Sequence, residues 1–374
     1  MPDQVRHDDF ETFYGIIIVE YRNPGPLLQC SPGRAGTEIL SGEQGQTMIF
    51  EDPDDLRRRI AQLTQKPTGV RPGVCLDTSD FMSIDVGSVI RVADSDFLVL
   101  GHGREGRFGM DEQPKFWVKN TLDLTSGERK ILKLEFKESF TNRIGDAVFR
   151  CFRNPEKEAV ILQRMRDHPS FMQGRTVRDA MDNLVRIVDF IPGLSLYENL
   201  RRLDISHEVY YRERLSGQMQ RFIGCIEAIA GLHEIGLHHG DIRADHILIH
   251  KQTGGHVWID FDYEVSHPEY DLFCLGNILL QVVGKGRHSR HDVRLRPSEY
   301  PGFREPLCRE DMSMMFQHRV ANLRKLFPYI SPDLNELLLR FSAGNDCPHL
   351  TVGVLLSNLR SLFPPDHSGT NESN

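Results

Sequence analysis

The chain has 374 residues, of which 39% are hydrophobic and 26% charged, and a formal net charge of −8. This composition is typical of a globular protein, and the length allows two or three domains with a sizeable core. The acidic balance lacks the basic signature of nucleic-acid binding, so no nucleic-acid partner is expected.

Cysteine usage and hydropathy indicate the cellular setting. The seven cysteines are dispersed and form no CxxC pair, which is typical of reduced thiols in a cytosolic protein. The start of the chain, "MPDQVRHDDF", lacks the apolar core of a signal peptide. The best apolar run, at 272–284, is too short for a membrane span. We therefore expect a cytoplasmic protein without a membrane span.

Residues 1–86 are punctuated by glycine and proline and carry no chemical motif. The segment 14–21 is predicted to form a strand, and 52–65 a short helix with acidic residues at its start. We interpret 1–86 as an N-terminal α/β extension of unknown role.

Strands dominate the segment 87–193. The run "DFLVLGHGREGRFG" leads a strand into a glycine-rich turn, and "KFWVKNTLDL" and "RKILKLEF" alternate around "TSGE", which predicts a hairpin. Apolar residues at helical spacing predict a helix over 155–165, and 183–193 returns to a strand that ends at Pro-Gly.

Helices dominate the segment 194–363. The stretch 219–236 carries apolar residues at i, i+3, i+4 and i+7 and closes on glycine. The polar tail 364–374 is predicted to be disordered. A strand-rich half followed by a helix-rich half predicts an α+β fold with two lobes. The cleft between the lobes is then the expected ligand site.

Two acidic motifs lie close together in the helical half. The loop "HHGDIRADHILI" (238–249) follows the long helix, and "IDFD" (259–262) ends the hairpin after it. That hairpin is expected to bring Asp260 back beside Asp241. Two carboxylates facing one cleft suit a general base and a ligand of a hard cation such as Mg²⁺. Aspartate is also common in loops for turn chemistry alone, so the pair by itself is weak evidence.

The order of the motifs resembles that of the protein-kinase-like superfamily, over roughly residues 88–363. "HHGDIRADHIL" is similar to the catalytic loop H-R-D-L-x-x-x-N, and "IDFD" to the metal-binding D-F-G. "DLFCLG" at 271–276 resembles the helix start that anchors that loop. The upstream matches are the glycine-rich loop, the ATP lysine, its glutamate partner and the adenine hinge, at Gly101, Gly103, Gly106, Lys133, Glu158, Asp189 and Ile191.

The resemblance implies a bilobal fold, with a β-rich N-lobe and a helical C-lobe, that binds ATP with Mg²⁺ or Mn²⁺. It implies that the three glycines let backbone N–H groups approach the phosphates. Lys133 would hold the phosphates and Glu158 would orient Lys133. The backbone at Asp189 and Ile191 would bind adenine.

The remaining roles implied by the resemblance concern phosphoryl transfer. Asp241 would orient the attacking hydroxyl and accept its proton. Asp260 would hold the metal, with His246 at the second metal position. Arg243 would neutralise the γ-phosphate, although an ordinary surface charge is the simpler interpretation.

The lysine assignment has a rival in Lys119, which lies in the first strand of the predicted hairpin. We prefer Lys133, because "TSGERKILKL" places it centrally in the second strand. Both remain candidates from the sequence.

Three positions depart from the kinase pattern. His246 replaces the loop asparagine, and a neutral imidazole is a poorer partner for Mg²⁺ than an amide oxygen. The histidine is similar to that of bacterial lipopolysaccharide-core sugar kinases, which implies that activity can survive the change. Gly240 replaces the arginine that reads a phosphorylated activation segment. Asp262 replaces the D-F-G glycine and is expected to add a carboxylate near the metal.

The activation segment is also short. Only ten residues separate Asp260 from Asp271, and none of them matches A-P-E. We therefore expect no activation-loop switching and no peptide docking of the usual kind.

The sequence thus predicts an ATP- and Mg-dependent phosphotransferase, an atypical kinase that acts on a hydroxyl of a protein or a small molecule. The alternative is a pseudokinase, a nucleotide-binding regulatory or scaffold module that lost turnover through His246. A nucleotide is the predicted partner in both cases.

Overall fold

A computed structural model describes residues 50, 52–64, 73–105, 113–145, 147–304, 306–344 and 350–365. The predicted strand at 14–21, Gly106 and most of the predicted tail lie outside these residues. Within them, no helix has both the length and the apolar character needed to cross a membrane.

The described residues form a mixed α+β fold, in which most strands precede residue 190 and most helices follow residue 195. The strands are β1 (Val74–Cys75), β2 (Val89–Val92), β3 (Ser95–Glu105), β4 (Gln113–Asp123), β5 (Arg129–Lys133), β6 (Ser139–Ile144), β7 (Ala147–Arg153), β8 (Gly174–Arg178), β9 (Leu184–Asp189), β10 (Gly193–Ser195), β11 (Ile247–His250), β12 (His256–Trp258) and β13 (Tyr263–Val265). The helices are α1 (Pro53–Thr64), α2 (Pro155–Arg164), α3 (Leu196–Arg202), α4 (His207–Glu213), α5 (Leu215–Glu234), α6 (Glu269–Val283), α7 (Arg290–Leu295), α8 (Pro332–Leu339) and α9 (Val352–Leu362).

The main sheet contains seven strands in the order β1-β2-β3-β4-β5-β9-β8. The predicted hairpin is present as β4 and β5, with Val118 opposite Lys133 and Lys119 opposite Leu132. The predicted helix over 155–165 is α2, capped by the Asn154 side chain. The sheet buries Ile90, Val99, Leu132 and Val185 on the face that forms its core. These elements therefore form where the apolar periodicity predicts them.

The described part of the N-terminal extension packs onto this sheet. Helix α1 buries Leu56 and Ile60 against Val89 and Leu98 because these two residues, four apart, share one helix face. Arg59 Nε donates to the Leu124 carbonyl at 2.7 Å. The covering helix thus belongs to the same packed unit as the sheet.

A second sheet contains strands that were not predicted from the sequence. Strands β6 and β7 form a hairpin, and β13 pairs with β7 in the order β13-β7-β6, with Tyr263 opposite Arg153. The turn "IGDA" between two alternating stretches was the available signal. Because β13 directly follows "IDFD", this sheet holds the chain immediately after that motif.

The helical part is built around α5 and α6. Helix α5 is apolar over most of its length, with Met219, Ile226 and Ile229 fully buried. A small sheet in the order β10-β11-β12 lies beside it, and Trp258 Nε1 donates to the Cys225 carbonyl of α5 at 3.0 Å. Helix α5 and the β11–β12 pair thus flank the loop that connects them, 235–246.

Candidate active site

One buried carboxylate holds the loop that joins α5 to β11. Asp271, in the first turn of α6, accepts hydrogen bonds from the backbone N–H groups of His239 and Gly240, both at 2.8 Å, and from His233 Nε2 at 2.9 Å. Burial by itself would raise the pKa of the Asp271 carboxyl, but these partners hold that pKa below its usual range. Asp271 is therefore ionised at neutral pH and anchors the loop.

His239 supports the loop by packing. Its ring is fully buried, with the ring centres of Trp258 and Phe261 at 5.1 and 4.9 Å. Burial lowers the pKa of His239 to about 3, since the charged imidazolium loses its hydration. His239 is thus a neutral packing residue in a folded protein at neutral pH.

Gly240 lies where the loop passes closest to β13. Its φ is +81°, and an added Cβ would lie 2.0 Å from the Tyr263 carbonyl oxygen. The Nζ of Lys157, on α2, donates to the carbonyls of His239, at 2.9 Å, and of Tyr263. An arginine at position 240 would not fit, and Lys157 joins α2, the loop and β13 directly.

Asp241 and Asp260 lie on either side of His246, so the structure brings the two predicted carboxylates together. His246 Nδ1 lies 3.6 Å from Asp241 Oδ2, and His246 Nε2 lies 3.5 Å from Asp260 Oδ2. Both aspartate side chains keep partial solvent access, at 16% and 18%. Asp260 has a φ of +63°, a left-handed conformation that is rare outside glycine and is found often at functional sites.

Lys133 joins Asp260 to helix α2. Its Nζ lies 2.5 Å from Glu158 Oε1 and 2.9 Å from Asp260 Oδ1, and both Lys133 and Glu158 are buried. Burial by itself would lower the pKa of Lys133, but Asp260 and Glu158 raise that pKa above its ordinary value. On its other side, Glu158 Oε2 lies 3.2 Å from Arg186 Nε. The predicted lysine, glutamate and aspartate therefore form one charged cluster.

Lys115 also contacts this cluster, although it was not among the residues predicted from the sequence. Lys115 Nζ lies 3.1 Å from Asp260 Oδ2, and its side chain is 9% exposed. Burial would raise the pKa of Asp260, but Lys115, Lys133 and His246 lower that pKa well below its ordinary value. The sequence feature that could have pointed to Lys115 is "QPKFWVK", where two lysines flank an aromatic pair within one strand.

Lys119 lies in a different environment. Its Nζ donates to the backbone carbonyls of Phe81, at 2.8 Å, and of Ile84, and lies 3.4 Å from His102 Nδ1. Burial lowers the pKa of Lys119 to about 8. The structure thus gives Lys133, and not Lys119, the carboxylate partners that the kinase pattern requires.

Asp262 lies at the edge of this cluster, with its Oδ2 3.9 Å from Lys133 Nζ, but its nearest charged partner is Arg153. Its Oδ2 lies 2.6 Å from Arg153 Nη1, at the end of β7, and both side chains are buried. The pairing of β13 with β7 places Tyr263 opposite Arg153, which brings Asp262 beside the end of β7. It is better described as the acidic half of a buried ion pair.

The other predicted residues are placed as follows. The Arg243 guanidinium binds the Asp245 carboxylate, with Nε to Oδ1 at 3.0 Å. Asp189 ends β9 and accepts from Lys130 Nζ at 2.9 Å, and Ile191 follows it, packed against the helical core. Gly101 and Gly103 lie in β3, and an added Cβ at Gly103 would lie 2.9 Å from Val118 Cγ1. Packing against β4 is thus one reason for glycine at position 103.

Ammonium groups already occupy the Asp260 carboxylate. Lys115, Lys133 and Arg186 contact the carboxylates of Glu158 and Asp260, and Lys133 Nζ also lies 3.9 Å from Asp262 Oδ2. Both oxygens of Asp260 already contact ammonium groups. Among the described residues, no group of three or more His, Cys, Asp or Glu side chains is placed to hold a metal ion. As arranged, these residues do not fit a magnesium site.

Comparison with known proteins relates the chain to kinases. No family model matches the chain. The chain is 27% identical over 194 residues to the serine/threonine-protein kinase Warts of Drosophila melanogaster. The aligned segment covers 49% of this chain and 15% of the fly protein, so the chain spans a small part of that relative. This distant and partial similarity hints at a protein-kinase-like relationship without assigning a family.

Proposed function

We propose that the protein is a bilobal kinase-like phosphotransferase that binds ATP and transfers its γ-phosphoryl group to a hydroxyl. The observation that carries the proposal is the contact chain Glu158–Lys133–Asp260–His246–Asp241, whose members come from four separate stretches of sequence. The strand order of the main sheet and the similarity to a serine/threonine kinase support it. Phosphoryl transfer depends mainly on positioning and charge neutralisation, and such a cluster can supply both.

The roles follow from position. Lys133, held by Glu158, binds the phosphates, and the connection at Asp189 and Ile191 borders the adenine. Asp241 keeps partial solvent access and accepts the proton of the attacking hydroxyl. Gly101, Gly103 and Gly106 remain the predicted phosphate-facing turn, and Arg243 remains a candidate for the γ-phosphate. Magnesium or manganese at Asp260 and His246, expected from the sequence, is not part of this proposal, because the residues as arranged do not fit such a metal.

The acceptor belongs to a protein or a small molecule. The chain after Asp260 pairs at once with β7 through β13 and enters α6 at Glu269. This leaves a short connection, 266–268, where kinases that grip a peptide use a longer segment. The short connection favours a small acceptor or an exposed loop of a protein. The cytoplasm stays the predicted compartment.

A second candidate is a nucleotide-binding module without turnover. One observation favours it: both oxygens of Asp260, the predicted metal ligand, contact lysine ammonium groups, and His246 stands at the position of the second ligand. Such a module would bind ATP and regulate a partner through its shape.

Asp241→Asn separates the two candidates. We expect ADP production from ATP to fall by about 100-fold or more, the typical contribution of a general base, while the thermal shift caused by ATP is unchanged. The exposed Asp333→Asn serves as the matched control. Wild-type ATP binding without any ADP production would favour the module, and absence of ATP binding would contradict both candidates.

A further inference from the structure

The Asp260 carboxylate is shared by two lysines from neighbouring strands. Lys133 Nζ contacts Oδ1 at 2.9 Å and Lys115 Nζ contacts Oδ2 at 3.1 Å. Lys133 has a second carboxylate in Glu158. Lys115 therefore brings an additional positive charge to a carboxylate that is already paired.

A bulge in the sheet directs Lys115 towards Asp260. Lys119 of β4 pairs with His102 of β3, and Lys115 of β4 pairs with the next residue of β3, Gly103. Paired residues of two strands point to the same face of the sheet, and adjacent residues of one strand point to opposite faces. Lys115 and Lys119 therefore point to opposite faces. Without the extra residues of the bulge, two lysines four positions apart would share a face. The local geometry thus places an ammonium group where regular alternation would not.

The position that Lys115 occupies is the one a divalent cation would need. A metal held by Asp260 and His246 would compete with Lys115 for Asp260 Oδ2, since His246 Nε2 lies 3.5 Å from that same oxygen. An ammonium group at 3.1 Å from the same oxygen repels a dication and attracts a phosphate. The long lysine side chain can contact a phosphate and the carboxylate together, since it carries three N–H donors.

We propose that Lys115 takes the place of the divalent metal at Asp260, so that the cleft binds a nucleoside triphosphate without Mg²⁺. Lys115 and Lys133 together hold the polyphosphate, and Asp260 fixes both ammonium groups. This inference rests on the proposed nucleotide site and specifies how that site neutralises its ligand.

The test is an ATP titration by calorimetry, in excess EDTA and in Mg²⁺, on the full chain. We expect wild-type Kd values that differ by less than about threefold between the two conditions, because the bound cation is already part of the protein. Lys115→Met should raise the Kd in EDTA by about tenfold or more, the order expected for one lost charge-assisted hydrogen bond, and Mg²⁺ should restore much of that loss. Exposed Lys137→Met is the charge-matched control and should behave as wild type.

The outcomes separate this inference from the proposed function. Wild-type binding that disappears in EDTA would overturn the inference and leave the nucleotide site standing. A folded Lys115→Met protein that loses affinity equally in EDTA and Mg²⁺ would also overturn it, because Lys115 would then be an ordinary phosphate ligand. Failure of the wild type to bind ATP in either condition would overturn the proposed function, and this inference with it. The melting temperature of each variant without nucleotide checks that the fold is intact.

Discussion

Lys119 and Lys133 lie on adjacent strands, are both buried, and have opposite surroundings. Lys133 contacts the carboxylates of Glu158 and Asp260, whereas Lys119 contacts backbone carbonyls and His102. Val118, and not Lys119, is the cross-strand partner of Lys133, so the two lysines point to opposite faces of the sheet. Both residues are buried lysines, and they differ in the groups that their ammonium ions contact.

The partners determine the charge of each lysine. Two carboxylates overcome the cost of burial at Lys133 and raise its pKa, while burial lowers the pKa of Lys119 to about 8. Lys133 therefore stays cationic and suits a phosphate ligand. A lysine held by neutral carbonyls suits a structural role, in this case fastening the turn at 81–84 to the sheet.

The largest expected effect concerns the two lysines as phosphate ligands. Lys133→Met should lower ATP-dependent turnover by about 100- to 1000-fold, or about 3–4 kcal/mol, as when one preorganised charge is removed from an active site. Lys119→Met should change turnover much less once protein stability is matched. Steady-state kinetics on both variants measures this difference in turnover. Equal losses of turnover in the two variants would contradict the distinct roles of the two lysines.

A third buried lysine extends the comparison. Lys157, like Lys119, donates to backbone carbonyls, and burial lowers its pKa. Lys157→Met should lower the free energy of unfolding by about 2 kcal/mol, because the carbonyls of His239 and Tyr263 lose their partner inside the protein. Chemical denaturation measures this loss. Exposed Lys137→Met should leave the midpoint unchanged, and an equally stable Lys157→Met protein would contradict the structural role.

The smallest effect is a pH dependence at Lys119. Its folded pKa of about 8 lies below that of the unfolded chain. At a pH between the folded and the unfolded pKa, Lys119 is protonated only in the unfolded state. The free energy of unfolding therefore rises with pH in this range, and it does not rise below pH 8. The wild type should gain at most about 1 kcal/mol from pH 8 to pH 9 relative to Lys119→Met. Thermal or urea unfolding of both proteins at pH 8 and pH 9 tests this. If the difference in unfolding free energy between the wild type and Lys119→Met is the same at both pH values, Lys119 remains charged in the folded protein.

Much of the fold was predictable because its signals are local. The β4–β5 hairpin and the start of α2 follow from alternation and from capping residues next to each other in sequence. The β6–β7 hairpin was missed although its turn was visible in the sequence. The outcome for Asp262 depended on Arg153, more than a hundred positions away, which no local pattern reveals.

The order of the motifs along the chain was enough to select the residues that approach one another, which are Lys133, Glu158, Asp241, His246 and Asp260. The face of the sheet that each lysine occupies, and the charges that each lysine meets, became known from the folded structure. A bulge turned Lys115 towards Asp260, and the close approach of β13 required glycine at position 240. Register and long-range charge pairing arise from the packing of distant segments, so a one-dimensional pattern does not contain them.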